Sequence, residues 1–159
     1  MKISMKVLLR FACVTATSTA FALDFTAPIE KIGGGFTFTE GPIWIAFTPD
    51  EKVLYVNDTE RGHIRAFDVA PDGTLANSRI FTSQAPGADG MKVDTEGNVY
   101  CACKPGVMVF DSTGKYLHTI STPERPANLA FGGSDWKTLY ITCRPSLYRV
   151  HLTVPGVKN

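Results

Sequence analysis

Short apolar runs separated by polar turns make up most of the chain, and few segments have the spacing of an amphipathic helix. Runs of this length that are rich in Val, Ile, Tyr and Phe predict β-strands. The clearest strand candidates are residues 54–56, 63–67, 99–103, 107–110, 139–142 and 147–150. Asp72-Gly73, Glu96-Gly97 and Thr113-Gly114 predict tight hairpin turns, because glycine adopts positive φ at little cost. The sequence therefore predicts an all-β protein.

The predicted strands recur as a repeat. An inner strand ends near each of Phe47, Val93 and Phe131, and each is followed by a polar turn, a second strand and a third strand. A period of roughly 40 residues with several strands per repeat is typical of a β-propeller blade. Residues 23–159 accommodate about three such blades, whereas closed propellers have about four to eight. The predicted fold is therefore a partial β-propeller of about three blades of antiparallel strands.

Composition narrows the range of functions. The chain has 159 residues, of which 44% are hydrophobic and 19% charged, so a packed core is expected and disorder is excluded. The formal net charge is +1, which provides no basic surface of the kind that nucleic-acid binding requires.

The N-terminal segment has the features of a signal peptide. Lys2, Lys6 and Arg10 precede small apolar residues, and Ala20-Phe21-Ala22 fits a cleavage site. We therefore predict a signal peptide over residues 1–22 and a secreted or periplasmic protein. No later segment is long and apolar enough to span a membrane. The alternative to a signal peptide over residues 1–22 is an ordinary N-terminal strand or helix.

Three cysteines follow the predicted signal peptide. Cys101 and Cys103 lie two apart in one predicted strand, so they share a face but are poorly placed to bridge each other. Either could pair with Cys143 across neighbouring strands. The other interpretation is that all three are buried free thiols. Their spacing does not supply the ligands of a zinc site.

Several short motifs occur in a distinctive order. They are Glu40-Gly41-Pro42, residues 54–58 (LYVND), residues 88–94 (ADGMKVD), and residues 130–133 (AFGG) followed by residues 138–142 (TLYIT). Together they resemble the regucalcin/gluconolactonase family of six-bladed propeller lactonases, over nearly all of residues 36–157. The resemblance implies a metal-dependent enzyme that hydrolyses small-molecule sugar lactones to hydroxy acids.

The resemblance also implies a site. In the family a divalent cation, often calcium, is held by a Glu from the first blade, an Asn from a middle blade and an Asp from a later blade. Glu40 matches the Glu, and Asp89 matches the Asp, which is also the implied base that activates water. Hard cations prefer such oxygen ligands, so Ca²⁺ is expected here, with Zn²⁺, Mg²⁺ or Mn²⁺ as alternatives. Without the resemblance, solvated loop carboxylates would be the simpler interpretation of both residues.

The chain departs from the family pattern at Ile43, which stands where the Asn ligand is expected. This predicts an internal deletion that joins the start of the first blade to a strand of a later blade. Two functions remain open: a lactonase, in which two copies form a homodimer that closes a 3+3 propeller, and a non-catalytic propeller remnant or binding module. A protein that arose by deletion or mis-splicing would be of the second kind, a non-catalytic remnant or binding module.

Three further polar residues are candidates for binding substrate at the channel mouth. Asn57 and Asp58 follow a predicted second strand, and Asn128 begins a later inner strand. The alternative for all three is a role in capping turns. His63, His118 and His151 lack the spacing of a metal site or a catalytic triad, and no Gly-x-Ser-x-Gly motif is present.

Overall fold

The computed structural model describes residues 45–143 and 145–158, and these form eleven strands in three antiparallel sheets. The strands are β1 (Ile45–Phe47), β2 (Val53–Asp58), β3 (His63–Val69), β4 (Leu75–Thr82), β5 (Met91–Val93), β6 (Val99–Cys103), β7 (Gly106–Phe110), β8 (Tyr116–Ile120), β9 (Pro126–Gly132), β10 (Thr138–Cys143) and β11 (Leu147–His151). The predicted all-β class is confirmed. The predicted signal peptide, Glu40 and Ile43 lie outside the described residues.

Each sheet is formed by strands that are consecutive in the chain. The orders are β1-β2-β3-β4, β5-β6-β7-β8 and β9-β10-β11. The first two strands of the three sheets pair in the same way, with Phe47 opposite Leu54, Val93 opposite Val99 and Phe131 opposite Leu139. The predicted repeat is thus present as three equivalent hairpins. The sheets are blades of a partial propeller.

The outer strands of the first two sheets were not predicted from the sequence. β4 and β8 close these sheets, but most of their side chains are exposed or half-buried. A strand that covers only an outer edge needs no apolar face, so its sequence lacks the pattern by which strands are recognised. The predicted turns are confirmed, since Gly73, Gly97 and Gly114 have φ values of 83°, 84° and 88°.

The middle sheet is buried on both faces. One core cluster joins it to the first sheet, through residues such as Ile64, Met91 and Phe110. A second cluster joins it to the third sheet, through residues such as Val107 and Leu139. Every residue of β6 and β7 is buried, which explains why their sequences are continuous apolar runs rather than alternating ones.

The three cysteines are buried and free. Cys101 and Cys103 belong to the cluster between the first two sheets, whereas Cys143 belongs to the cluster on the opposite side of the middle sheet. The middle sheet therefore separates them, and the interpretation as free thiols is confirmed. The hydrogen bond with Cys103, together with burial, raises the pKa of the Cys101 thiol, and burial raises the pKa of Cys143.

Candidate functional site

The loops at one end of the sheets contact each other through backbone hydrogen bonds. The amide of Ala85 donates to the carbonyl of Gly62 at 3.0 Å, which joins the β4–β5 loop to the β2–β3 turn. The amide of Lys104 donates to the carbonyl of Pro86 at 3.0 Å, which joins the same loop to the β6–β7 turn. The β4–β5 loop, which carries Asp89, is thus fixed to its neighbours.

The Asp89-Gly90 dipeptide is bonded by residues from all three sheets. Asn57 Nδ2, at the end of β2, donates to the carbonyl of Asp89 at 2.5 Å. The Asp89 amide donates to Ala102 in β6, and the Ala102 amide donates back to Gly90, at 2.8 and 2.9 Å. The Gly90 amide donates to Ala127 in β9 at 2.8 Å. These bonds hold the backbone beneath the Asp89 side chain in one position.

Gly90 allows the third sheet to approach closely. A Cβ added at Gly90 would lie 2.6 Å from the Cα of Asn128, a separation that real side chains do not adopt. Asn128 Oδ1 accepts a hydrogen bond from the Leu129 amide at 2.8 Å. The structure therefore places Asn128, within β9, directly against the Asp89-Gly90 dipeptide, while its role in substrate binding stays a prediction.

Asp89 lines a pocket of about 260 Å³. The other described lining residues are Arg125, Pro126 and Ala127. The Arg125 Nη2 donates to the carbonyl of Gly87 at 3.3 Å, which anchors the guanidinium beside the loop. A half-buried acidic residue and an exposed basic residue therefore line the same small pocket, whose volume is just below the usual range of roughly 300–1,000 Å³ for small-molecule sites.

Asn57 and Asp58 are not among the described lining residues of this pocket. Both side chains are fully buried. Asn57 Oδ1 has no hydrogen-bond partner among the residues that the structure describes. The Asp58 carboxylate accepts bonds from the Arg61 amide and from Arg61 Nη1, at 3.2 and 3.1 Å. Asn57 thus supports the backbone of Asp89, and Asp58 organises the β2–β3 turn, while a substrate-binding role for either stays a prediction.

A hard divalent cation takes about six to eight oxygen ligands, some of them water. Asp89 has the chemistry of one such ligand and is a lining residue of the pocket. Within residues 45–143 and 145–158, no group of three or more His, Cys, Asp or Glu side chains is placed to hold a metal ion. The described part of the chain therefore contains one residue of the predicted ligand set, Asp89, whose ligand role stays a prediction, and Glu40 lies outside it.

Sequence reasoning missed Arg125, which lines the pocket, and Lys104, whose side chain lies beside Arg125 over Gly87. Both are exposed basic residues in loops, and neither belongs to a motif. Arg125 reaches the site through a contact with Gly87, 38 residues away in the chain. The apolar pattern that predicts strands does not show which loops meet in the folded protein, so it could not predict this contact.

Comparison with known proteins gives a consistent result. Residues 10–144 match a family model described as the SMP-30/Gluconolactonase/LRE-like region. A lactonohydrolase of Aspergillus oryzae is 30% identical over 72% of this chain and 30% of its own length. A pentonolactonase of Haloferax volcanii is 31% identical over 80% of this chain and 45% of its own. The chain thus spans less than half the length of these curated relatives.

Solved structures show the same similarity. A gluconolactonase of Xanthomonas campestris is 37% identical, with a TM-score of 0.61 over 70% of this chain and 36% of that one. A calcium-binding protein, regucalcin, of Agrobacterium tumefaciens has a TM-score of 0.63 over 72% of this chain and 46% of that one. At 21% identity the second comparison concerns the fold alone.

Proposed function

The chain belongs to the SMP-30/gluconolactonase/LRE-like family, and on that premise we propose that it is a hydrolase of sugar-type lactones with Asp89 as its catalytic base. The observation that carries the proposal is the position of Asp89. Its backbone is bonded by three sheets, and its side chain lines a pocket of about 260 Å³. Relatives named lactonohydrolase and pentonolactonase support this class of substrate.

The chemistry requires a base and a place for the lactone carbonyl. Asp89 takes a proton from a water molecule, and the water oxygen attacks the carbonyl carbon. The ring C–O bond breaks, the ring oxygen receives a proton, and the product is a hydroxy acid. General base catalysis of this kind contributes about 10²–10⁴-fold to a rate.

The proposal includes a divalent cation, for which Asp89 and Glu40 would be ligands. When bound, the cation would supply a Lewis acid that polarises the lactone carbonyl. Calcium is the first choice, because hard cations prefer carboxylate oxygens as ligands. Titration calorimetry with Ca²⁺, Zn²⁺, Mg²⁺ and Mn²⁺ on the wild type and on Asp89→Ala tests the ligand role without any need for turnover. Equal binding by the two proteins would remove Asp89 from the ligand set.

The central experiment measures the hydrolysis of gluconolactone and pentonolactones by the Asp89→Asn variant. The rate is monitored through the proton that is released when the acid product forms. We expect a loss of about 100-fold or more in kcat, because the amide cannot accept the proton. Asp111→Asn is the matched control. Asp111 is a turn residue whose Oδ1 accepts bonds from Thr113 and Lys115, and an amide oxygen can replace that acceptor. Wild-type rates in Asp89→Asn would show that another group is the base.

A non-catalytic binding module is the second candidate, and Ile43 at the expected Asn position favours it. Under this alternative the wild type binds lactones, as seen by calorimetry, but does not turn them over with any of the four cations. Export through residues 1–22 and the pairing of two copies into one ring stay predictions.

A further inference from the structure

We propose that Arg125 and Lys104 form an anion subsite next to Asp89, and that the preferred substrate is a lactone that carries a free carboxylate. This inference rests on the proposed function, since it specifies the substrate class of the same pocket. The substrate would be the monolactone of a sugar diacid rather than the lactone of a simple aldonic acid.

The first step in the argument is the shared position of the two basic side chains. A Cβ added at Gly87 would lie 3.1 Å from Arg125 Nη2 and 2.9 Å from Lys104 Cγ. Both side chains therefore lie over Gly87, whose φ of 63° suits a residue without a side chain. Two neighbouring cations repel each other, and an anion placed between them would relieve that repulsion.

The second step is the capacity of Arg125 to bind an anion. Its hydrogen bond to the carbonyl of Gly87 uses one of five N–H donors and fixes the plane of the guanidinium. The remaining donors have the geometry for two parallel bonds to a carboxylate. The neighbouring acid, Glu124, accepts a bond from Ser146 Oγ through Oε1 at 2.9 Å, which directs that oxygen towards the β10–β11 turn.

The third step is the position of the acidic and the basic side chain within the pocket. Arg125 lines the same pocket as Asp89, so a positive charge lies beside the proposed reacting centre. A lactone with its carbonyl near Asp89 and its carboxylate near Arg125 satisfies both groups. The guanidinium gives the substrate carboxylate a partner at one side of the reacting carbonyl, and this pairing favours one orientation of the lactone.

The test compares glucaric acid monolactone, which carries a carboxylate, with the neutral gluconolactone. In Arg125→Gln we expect KM for the acidic lactone to rise about five- to tenfold, and KM for the neutral lactone to change less than about twofold. Lys104→Gln should have a smaller effect in the same direction. Arg149→Gln is the matched control, because it removes the same charge from an exposed strand position outside the described pocket lining.

Added salt should raise KM for the acidic lactone and leave the neutral one unchanged, because screening acts on the charged pair. An equal effect of Arg125→Gln on both lactones would overturn the subsite. So would a wild-type kcat/KM that is no higher for the acidic lactone.

Binding without turnover separates this inference from the proposed function. Tetrahydrofuroate and tetrahydrofurfuryl alcohol have the same ring and differ in charge, and neither is hydrolysed. Tighter calorimetric binding of tetrahydrofuroate that is lost in Arg125→Gln supports the subsite even where no lactone is turned over. Lactone hydrolysis with no preference for tetrahydrofuroate rejects the subsite and leaves the proposed function intact.

Discussion

Gly90 determines how closely the third sheet approaches the loop that carries Asp89. Its amide bonds to Ala127, its carbonyl accepts from Ala102, and the position of its missing side chain is filled by Asn128. The constraint is one of space, because the obstruction includes the Cα of Asn128, which cannot rotate away as a side chain can.

We therefore predict that Gly90→Ala destabilises the protein by about 1–3 kcal/mol, the usual cost of forcing a methyl group into a packed region. Urea unfolding followed by intrinsic fluorescence measures the change in free energy. Gly73→Asn is the control, because a Cβ at Gly73 meets nothing within 4 Å and asparagine tolerates positive φ. Similar unfolding curves for Gly90→Ala and the wild type would show that the sheets separate easily at this point.

The sequence predicted part of the candidate site at this scale. Asp89 was found because a short motif surrounds it, and the structure places it in a pocket. Arg125 lines the pocket and Lys104 lies beside it over Gly87; neither was found, because only the folded sheets bring their two loops together. Asn57 was found, but as a residue that binds substrate, whereas its observed bond supports the Asp89 backbone.

At the scale of elements, an apolar sequence pattern and not burial alone determined which strands were predictable, since β11 is exposed or half-buried throughout and was still identified. The second and third strands of each repeat are largely apolar, and all of them were identified. β4 and β8 are mostly exposed, so their identity as strands depends on the edge that β3 and β7 offer them. Such pairing is a property of the sheet and not of the local sequence.

β10 and β11 allow a comparison of two leucines in adjacent strands. Leu139 is fully buried between the second and third sheets, whereas Leu147 is 66% exposed. We predict that Leu139→Ala lowers the free energy of unfolding by about 2–5 kcal/mol, through lost burial and the resulting cavity. Leu147→Ala should change it by less than about 0.5 kcal/mol. Comparable losses in urea titrations would mean that the face of the third sheet carrying Leu147 is covered in solution.

For the whole molecule, the buried tyrosine hydroxyl and cysteine thiols contribute to the dependence of stability on alkaline pH. Burial, and then the nearby Asp94 carboxylate, raises the pKa of Tyr100, whose hydroxyl donates to Asp94 Oδ2 at 3.1 Å. The pKa values of the Cys101 and Cys143 thiols are also raised. These groups are held in their neutral forms in the folded protein.

The expected result is a loss of stability in alkaline solution. A folded-state pKa above the unfolded value stabilises the protein fully below the unfolded pKa, and this contribution is lost as the pH rises above it. The relevant unfolded values are 9.0 for cysteine and 10.0 for tyrosine. The thermal midpoint should therefore fall above about pH 9, and Tyr100→Phe should reduce the slope above about pH 10. A midpoint that is constant to pH 11 would contradict this prediction.

The bonds that three sheets make to Asp89-Gly90 have a consequence for how activity is lost. The first, second and third sheets each supply a partner through Asn57, Ala102 and Ala127. If any one sheet separates from the others, the β4–β5 loop loses one of these hydrogen bonds. A partly unfolded form therefore does not keep Asp89 in its native position. Enzymatic inactivation in denaturant should then follow the same cooperative curve as the loss of structure, and turnover would serve as a probe of global folding.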